Sequence, residues 1–211
     1  MEKEKDKSTD AELLRQALGG DADAFGEIYD RWSGTVYRFA LRLAGEQSMA
    51  EDVTHDLFMA LMRDGHQYTG RGKFSSYLLT MTRHLVLHRL KRDRRYSPLE
   101  LENEDREGDP MPVDAAADPL RDLARAEATA RVRQAIFGLP LHYREAVLLC
   151  YLHELSYAEA AEVIGCTIGT ICSRLSRARN LLAQRLQPEA DDQQIAAEDH
   201  QVAVAVKWSK R

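Results

Sequence analysis

The chain has 211 residues, 44% hydrophobic and 30% charged, with a formal net charge of −5. This balance excludes a disordered, collagenous or membrane-embedded chain, and three cysteines are too few for a disulfide framework. With 7% aromatics and only 6 Pro it favours helices over a sandwich of short strands, and its net acidity means that any nucleic-acid surface must be sought in local charge.

The N-terminal residues carry both signs of charge with no apolar stretch behind them, so no secretory signal is expected. The longest apolar run, Ala146 to Leu152, spans 7 residues, against the roughly 20 of a membrane helix. The expected compartment is the reduced cytoplasm.

Thr9 and Glu12 read as a capping box, and Gly19 and Gly20 end the short helix behind it. Asp21 caps a long amphipathic stretch. Its stripe runs through Phe25, Ile28, Tyr29, Trp32, Val36, Phe39, Ala40 and Leu43, and Gly45 stops it. Ser48 and Glu51 read as a second capping box, opening a helix with Val53, Leu57 and Leu61 on one line. A loop with Tyr68, Gly70 and Gly72 leads to a helix over about 74–92. One side of that helix carries Phe74, Tyr77, Leu78, Met81 and Leu85; Leu79, Val86 and Leu90 lie opposite. A helix apolar on two sides is central in its bundle. Residues 10–95 form one helical domain.

Residues 96–118 form an acidic, flexible linker: nine acids against two bases fall between 100 and 122, with Pro98, Pro110 and Pro112 nearby. Asp118 and Pro119 open a second helical domain, 119–187. Gly138 to Pro140 break its first helix, and a helix over 141–154 presents Val147, Leu148, Tyr151 and Leu152. Ser156 and Glu159 make a third capping box. The tail 188–211 is polar, then alternates Val202, Val204 and Val206; it reads as disordered. The fold class is all-α, two small domains on an acidic linker.

Residues 157–176 have the layout of a helix-turn-helix. Such a unit needs a small residue at the helix crossing, a residue tolerant of positive φ in the turn, and a branched apolar residue on the inner face of the second helix. Ala161, Gly165 and Ile171 meet these needs at offsets of four and six. A helical wheel turns Ile171, Leu175, Ala178 and Leu182 inward. Thr170, Ser173, Ser176, Arg177 and Asn180 face out, flanked by Arg174 and Arg179. Short side chains with arginines suit a major groove. A second basic cluster, Arg83, Arg89, Lys91, Arg92, Arg94 and Arg95, follows a loop in which Tyr68 and Phe74 bracket Arg71 and Lys73. Aromatics among cations grip single strands by stacking and phosphate contact.

The segments AEDVTHDLF (50–58), YTGRGKFSSYLL (68–79) and LSYAEAAEVIGCTIGTICSRLSRAR (155–179) resemble those of group IV, or extracytoplasmic-function (ECF), sigma factors of bacterial RNA polymerase. The resemblance covers about residues 10–186. It implies a monomeric factor, not an enzyme, that docks on core RNA polymerase. Its second domain would read the minus-thirty-five element of promoter DNA; its first would open the minus-ten element and hold the displaced strand. By position, Glu51, Asp52 and Asp56 fall where the family meets the polymerase clamp. The loop 70–74 and the helix near His84 and His88 fall where a flipped base is captured. Ser173, Arg174 and Arg177 fall on the DNA-reading face, and the family adds an anti-sigma factor as a possible partner. Cys172, Thr80, His84 and His88 depart from the family's usual residues, so no promoter sequence transfers.

No cofactor is implied. His84 and His88 have a metal-ligand spacing, but arginines surround them and no third ligand is near; the wheel places His88 on the packed face and His84 at its edge. The competing reading is a stand-alone dimeric helix-turn-helix regulator, which binds paired half-sites without polymerase.

Overall fold

Four helix starts fall where a hydroxyl or carboxylate side chain meets the first free amides. The computed structural model describes residues 9–68, 70, 72–96 and 119–186, with 93–96 and 119–127 as backbone only. Most of the acidic linker and the tail 188–211 lie outside the described residues. Helix α1 (Asp10–Leu18) is capped by Thr9, whose Oγ1 accepts from the Glu12 amide. Glu12 does not complete the expected box; its carboxylate takes Arg15 and Gln16 instead. Helix α2 (Ala22–Ala44) starts on Asp21, which accepts from the amides of Asp23 and Ala24, and ends at Gly45 with φ 80°.

Helix α3 (Gln47–Asp64) departs from the expectation. It begins one residue before Ser48, after Glu46, and Ser48 donates its hydroxyl to the Glu46 carboxylate. Glu51 accepts from Gln47. A side chain already inside the first turn cannot cap it, so the second capping box is not formed. A short 3-10 turn (Gly65–Gln67) leads to the loop before α4 (Phe74–Tyr96), which runs past the expected end at 92.

The second domain holds α5 (Pro119–Phe137), α6 (Leu141–Val147), α7 (Tyr157–Ile164) and α8 (Ile168–Arg185). The single helix expected over 141–154 is α6 followed by a wider turn over Leu148–Leu152, closed where the His153 amide donates to the Leu148 carbonyl. Leu148 is buried there, but Leu152 is 41% exposed, against expectation. No strand occurs among the described residues.

Two apolar cores result. Leu14, Ile28, Val36, Leu57, Phe74 and Leu78 close the first within α1–α4. The second is shared between the domains: Phe39, Leu43, Leu79 and Val86 join Leu139, Val147, Leu149 and Leu175. The two-sided α4 is thereby explained. Its Phe74 and Leu78 face the first core, while Leu79 and Val86 face the shared one.

Candidate nucleic-acid interface

The helix-turn-helix is α7 and α8. Ser156 accepts from the Glu159 amide and Glu159 reaches back to the Ser156 amide at 2.8 Å, so this third capping box is complete. Ala161 is buried at the crossing. Gly165 lies at φ 77°, ψ 44°, a left-handed conformation that strains any side chain with a Cβ. The Gly165 and Cys166 amides both donate to the Ala161 carbonyl, closing the turn.

Thr167 starts α8 by accepting from the Thr170 amide at 3.2 Å. Ile171, Leu175, Ala178 and Leu182 are buried, as the wheel requires. Ser173, Ser176, Arg177 and Asn180 are exposed, with Thr170 and Arg179 half-buried beside them. Cys172 is exposed on the same helix. Arg174 differs from its neighbours: its guanidinium turns toward α6, with Nη1 4.0 Å from Glu145 Oε2.

In the first domain, Tyr68 packs edge-on to Phe74 at 5.2 Å and tilted on Tyr77 at 5.1 Å. Its hydroxyl donates to the Gly72 carbonyl at 3.1 Å, which ties the loop to the start of α4. Phe74 departs from the expectation of a stacking ring. It is 4% exposed and edge-on to Trp32, because the apolar ring enters the first core and anchors the loop from beneath. Arg71 lies outside the described residues. Lys73 is exposed and its Nζ lies 2.9 Å from Glu159 Oε1. His84 and His88 are both exposed, so the packed-face expectation for His88 fails. The helix turns about 100° per residue, which leaves the imidazoles beside rather than beneath the stripe that contacts the second domain. Lys91 and Arg92 are exposed further along α4.

Asp52 and Asp56 stand one turn apart on α3 and share Arg89 of α4. Arg89 donates to Asp52 at 2.8 Å and to Asp56 at close range. Burial alone would lower Arg89, but the two carboxylates outweigh it and raise its pKa. Both acids keep exposed oxygens, and Glu51 is exposed beside them.

The sequence reading missed several residues. Arg83 of α4 donates to Glu145 of α6 at 3.0 Å, and Glu145 is 3% exposed. Its signal was a single acid next to a long apolar run. Lys73 and then Ser156 hold the Glu159 carboxyl down to a pKa of about 2. Among the described residues no group of His, Cys, Asp and Glu is placed to hold a metal ion. None of the described helices is long and apolar enough to cross a membrane.

Residues 28–96 match the family model for Sigma-70 region 2, and residues 129–182 match that for Sigma-70, region 4. The chain is 28% identical over 176 residues to the ECF RNA polymerase sigma factor SigW of Bacillus subtilis, covering 82% of this chain and 94% of that protein. It is 30% identical over 164 residues to the ECF RNA polymerase sigma factor SigK of Mycobacterium sp. (strain KMS), covering 77% of this chain and 83% of the relative. Among solved structures, it resembles the sigma factor RpoE in complex with the anti-sigma factor NepR from Bartonella quintana, at 25% identity and a TM-score of 0.62 over 78% of this chain and 98% of that one. It shares the fold of CnrH, solved with the cytosolic domain of CnrY, at 23% identity and a TM-score of 0.58 over 83% and 95% of the two chains. Two sigma regions in the expected order, on helices whose faces agree with them, make this chain a member of the ECF RNA polymerase sigma factors.

Proposed function

We propose that this chain binds core RNA polymerase, recognises promoter DNA and promotes strand opening at the start of transcription. The observation that carries this reading is the coexistence of a region 2 match and a region 4 match in one chain. It favours a polymerase-dependent factor over a stand-alone dimeric regulator, whose N-terminal part has no need of a region 2 fold.

Each surface has a physical task. The exposed face of α8, with Thr170, Ser173, Ser176, Arg177 and Arg179, enters the major groove at the minus-thirty-five element, and Arg174 joins it once released from Glu145. Tyr68, Arg71, Lys73, His84, His88, Lys91 and Arg92 hold the displaced strand of the minus-ten element, with Phe74 as the anchor of their loop. Flipping a base costs a few kcal/mol, which stacking and phosphate contacts offset. Glu51, Asp52 and Asp56 present carboxylates to the polymerase clamp. The factor works as a monomer in the cytoplasm, without a cofactor and without catalysis of its own. RpoE and CnrH were each solved bound to a partner chain, RpoE to an anti-sigma factor, which supports an anti-sigma partner here too.

The test is to mix the purified chain with core polymerase and look for co-elution on a sizing column, then for run-off transcription from a specific promoter. Co-elution and a defined start site are expected. A chain that stays apart from polymerase and binds duplex DNA as a dimer overturns the reading.

A further inference from the structure

Among the described residues, three arginines and a histidine gather beside the end of α2 with no acid to offset them. Arg38 and Arg42 stand one turn apart on α2. Arg133 lies one turn before Phe137 on α5, and the Phe137 ring fills the space where Gly45, at the end of α2, has no Cβ. That contact brings Arg133 alongside Arg42. His153 follows the wider turn over Leu148–Leu152 and stands edge-on to Phe39, the neighbour of Arg38, at 5.2 Å.

Arg42, Arg133 and His153 are half-buried, and Arg38 is exposed at the mouth of the cluster. Among the described residues neither Arg42 nor Arg133 pairs with a carboxylate, and Arg38 makes a long 3.4 Å bond to the Thr35 hydroxyl. Burial, then Arg133 and Arg38, lowers the Arg42 pKa; burial, then Arg42 and Arg38, lowers that of His153. The His153 Nε2 is buried and has no hydrogen-bond partner. An orphaned nitrogen and half-buried like charges both cost stability unless something meets them. Other covered arginines are met within the chain: Arg83 by Glu145, Arg89 by Asp52 and Asp56, Arg144 by carbonyl oxygens. The complement of this cluster is therefore external and anionic.

We propose that Arg38, Arg42, Arg133 and His153 form a binding site for a pyrophosphate group, as carried by nucleoside di- and triphosphates. Each guanidinium offers a fork that fits two phosphate oxygens, and the neutral imidazole can donate from Nε2. A phosphodiester brings one charge per phosphate, whereas pyrophosphate concentrates several in a volume that three guanidiniums can surround. Half-burial admits such a compact anion and keeps out a rigid duplex. The site lies apart from the surfaces assigned above to promoter and polymerase.

The test is calorimetric titration of the full chain with sodium pyrophosphate at physiological salt. Saturable binding is expected, weakened about tenfold or more by Arg42→Gln/Arg133→Gln, the scale of one charged hydrogen bond. Arg131→Gln, exposed on the same helix, should leave the affinity unchanged. Pyrophosphate should raise the melting temperature of the wild type and not that of the double variant. Without ligand the double variant should melt no lower than the wild type, because it loses repulsion; arginines that serve only the fold would do the reverse. A nucleoside triphosphate and a single-stranded oligonucleotide are then set to compete with pyrophosphate. Displacement by the nucleotide assigns a free nucleotide; displacement by the oligonucleotide alone keeps the phosphate site and assigns it to nucleic acid. Absent pyrophosphate binding, or equal affinity in wild type and double variant, overturns the site.

Discussion

Arg144 of the second domain donates a 2.8 Å hydrogen bond to the Leu43 carbonyl, at the C-terminal end of α2 in the first. The same guanidinium also donates to the carbonyls of Phe137 and Leu139 and lies 4.2 Å from the Phe137 ring centroid. A cation at the end of α2 meets the negative pole of the helix and its unpaired carbonyls. Burial, with Arg185 adding repulsion, lowers the Arg144 pKa to about 10, so it stays charged at neutral pH.

Arg144→Ala removes the donor from three carbonyls at once. A loss of about 2–4 kcal/mol in urea unfolding is expected, the scale of several buried acceptors losing a charged partner. Arg144→Lys should recover only part of it, because one ammonium cannot reproduce the fork. Equal stability of wild type and the alanine variant contradicts the bridging role.

Gly45 and Gly20 separate backbone strain from packing. Both have positive φ, 80° and 97°, but a Cβ at Gly45 would lie 1.9 Å from Phe137, while none at Gly20 meets anything within 4 Å. Gly20→Ala should cost about 1 kcal/mol, the penalty for the left-handed conformation. Gly45→Ala should cost more and loosen the domain contact, seen as an increased radius of gyration.

Stability should depend on pH through His153. Burial, then Arg42 and Arg38, lowers its pKa to about 4 from 6.5. The unfolded chain therefore takes up this proton first as the pH falls. The contribution is whole above about pH 6.5 and is lost progressively toward pH 4, by up to about 3 kcal/mol. Urea unfolding at pH 7 and pH 5 checks this, since His153→Gln should flatten the difference that carboxylates alone do not produce.

Arg177 is exposed on the outer face of α8. Arg177→Ala should weaken promoter recognition by about 1–3 kcal/mol, one base-reading contact, with the fold unchanged. Run-off transcription equal to wild type at limiting factor removes Arg177 from the reading face.

Asp52→Asn/Asp56→Asn should abolish co-elution with core polymerase. Asparagine is chosen because lysine would also repel Arg89, which binds both acids. Losing these partly exposed pairs should cost no more than about 1 kcal/mol each. Undiminished co-elution sinks the docking assignment.

The sequence by itself determined what is local. Caps at Asp21 and Ser156, the left-handed turn at Gly165 and the inward stripe of Ile171, Leu175, Ala178 and Leu182 depend on neighbours within a few residues, and each was legible. Phe74 was misread as a stacking ring because an aromatic beside cations looks the same whether it points to a core or to solvent. Ser48 was misread as a cap because Glu46, two residues away, competed for its hydroxyl. Tertiary structure alone decided which surfaces meet. The second apolar side of α4 announced a partner without naming it, and Leu79 and Val86 found theirs in the second domain. Arg83 with Glu145, and Lys73 with Glu159, are 62 and 86 residues apart, and no periodicity reaches across that distance. Charge complementarity over such a separation is fixed only when packing brings the two faces together.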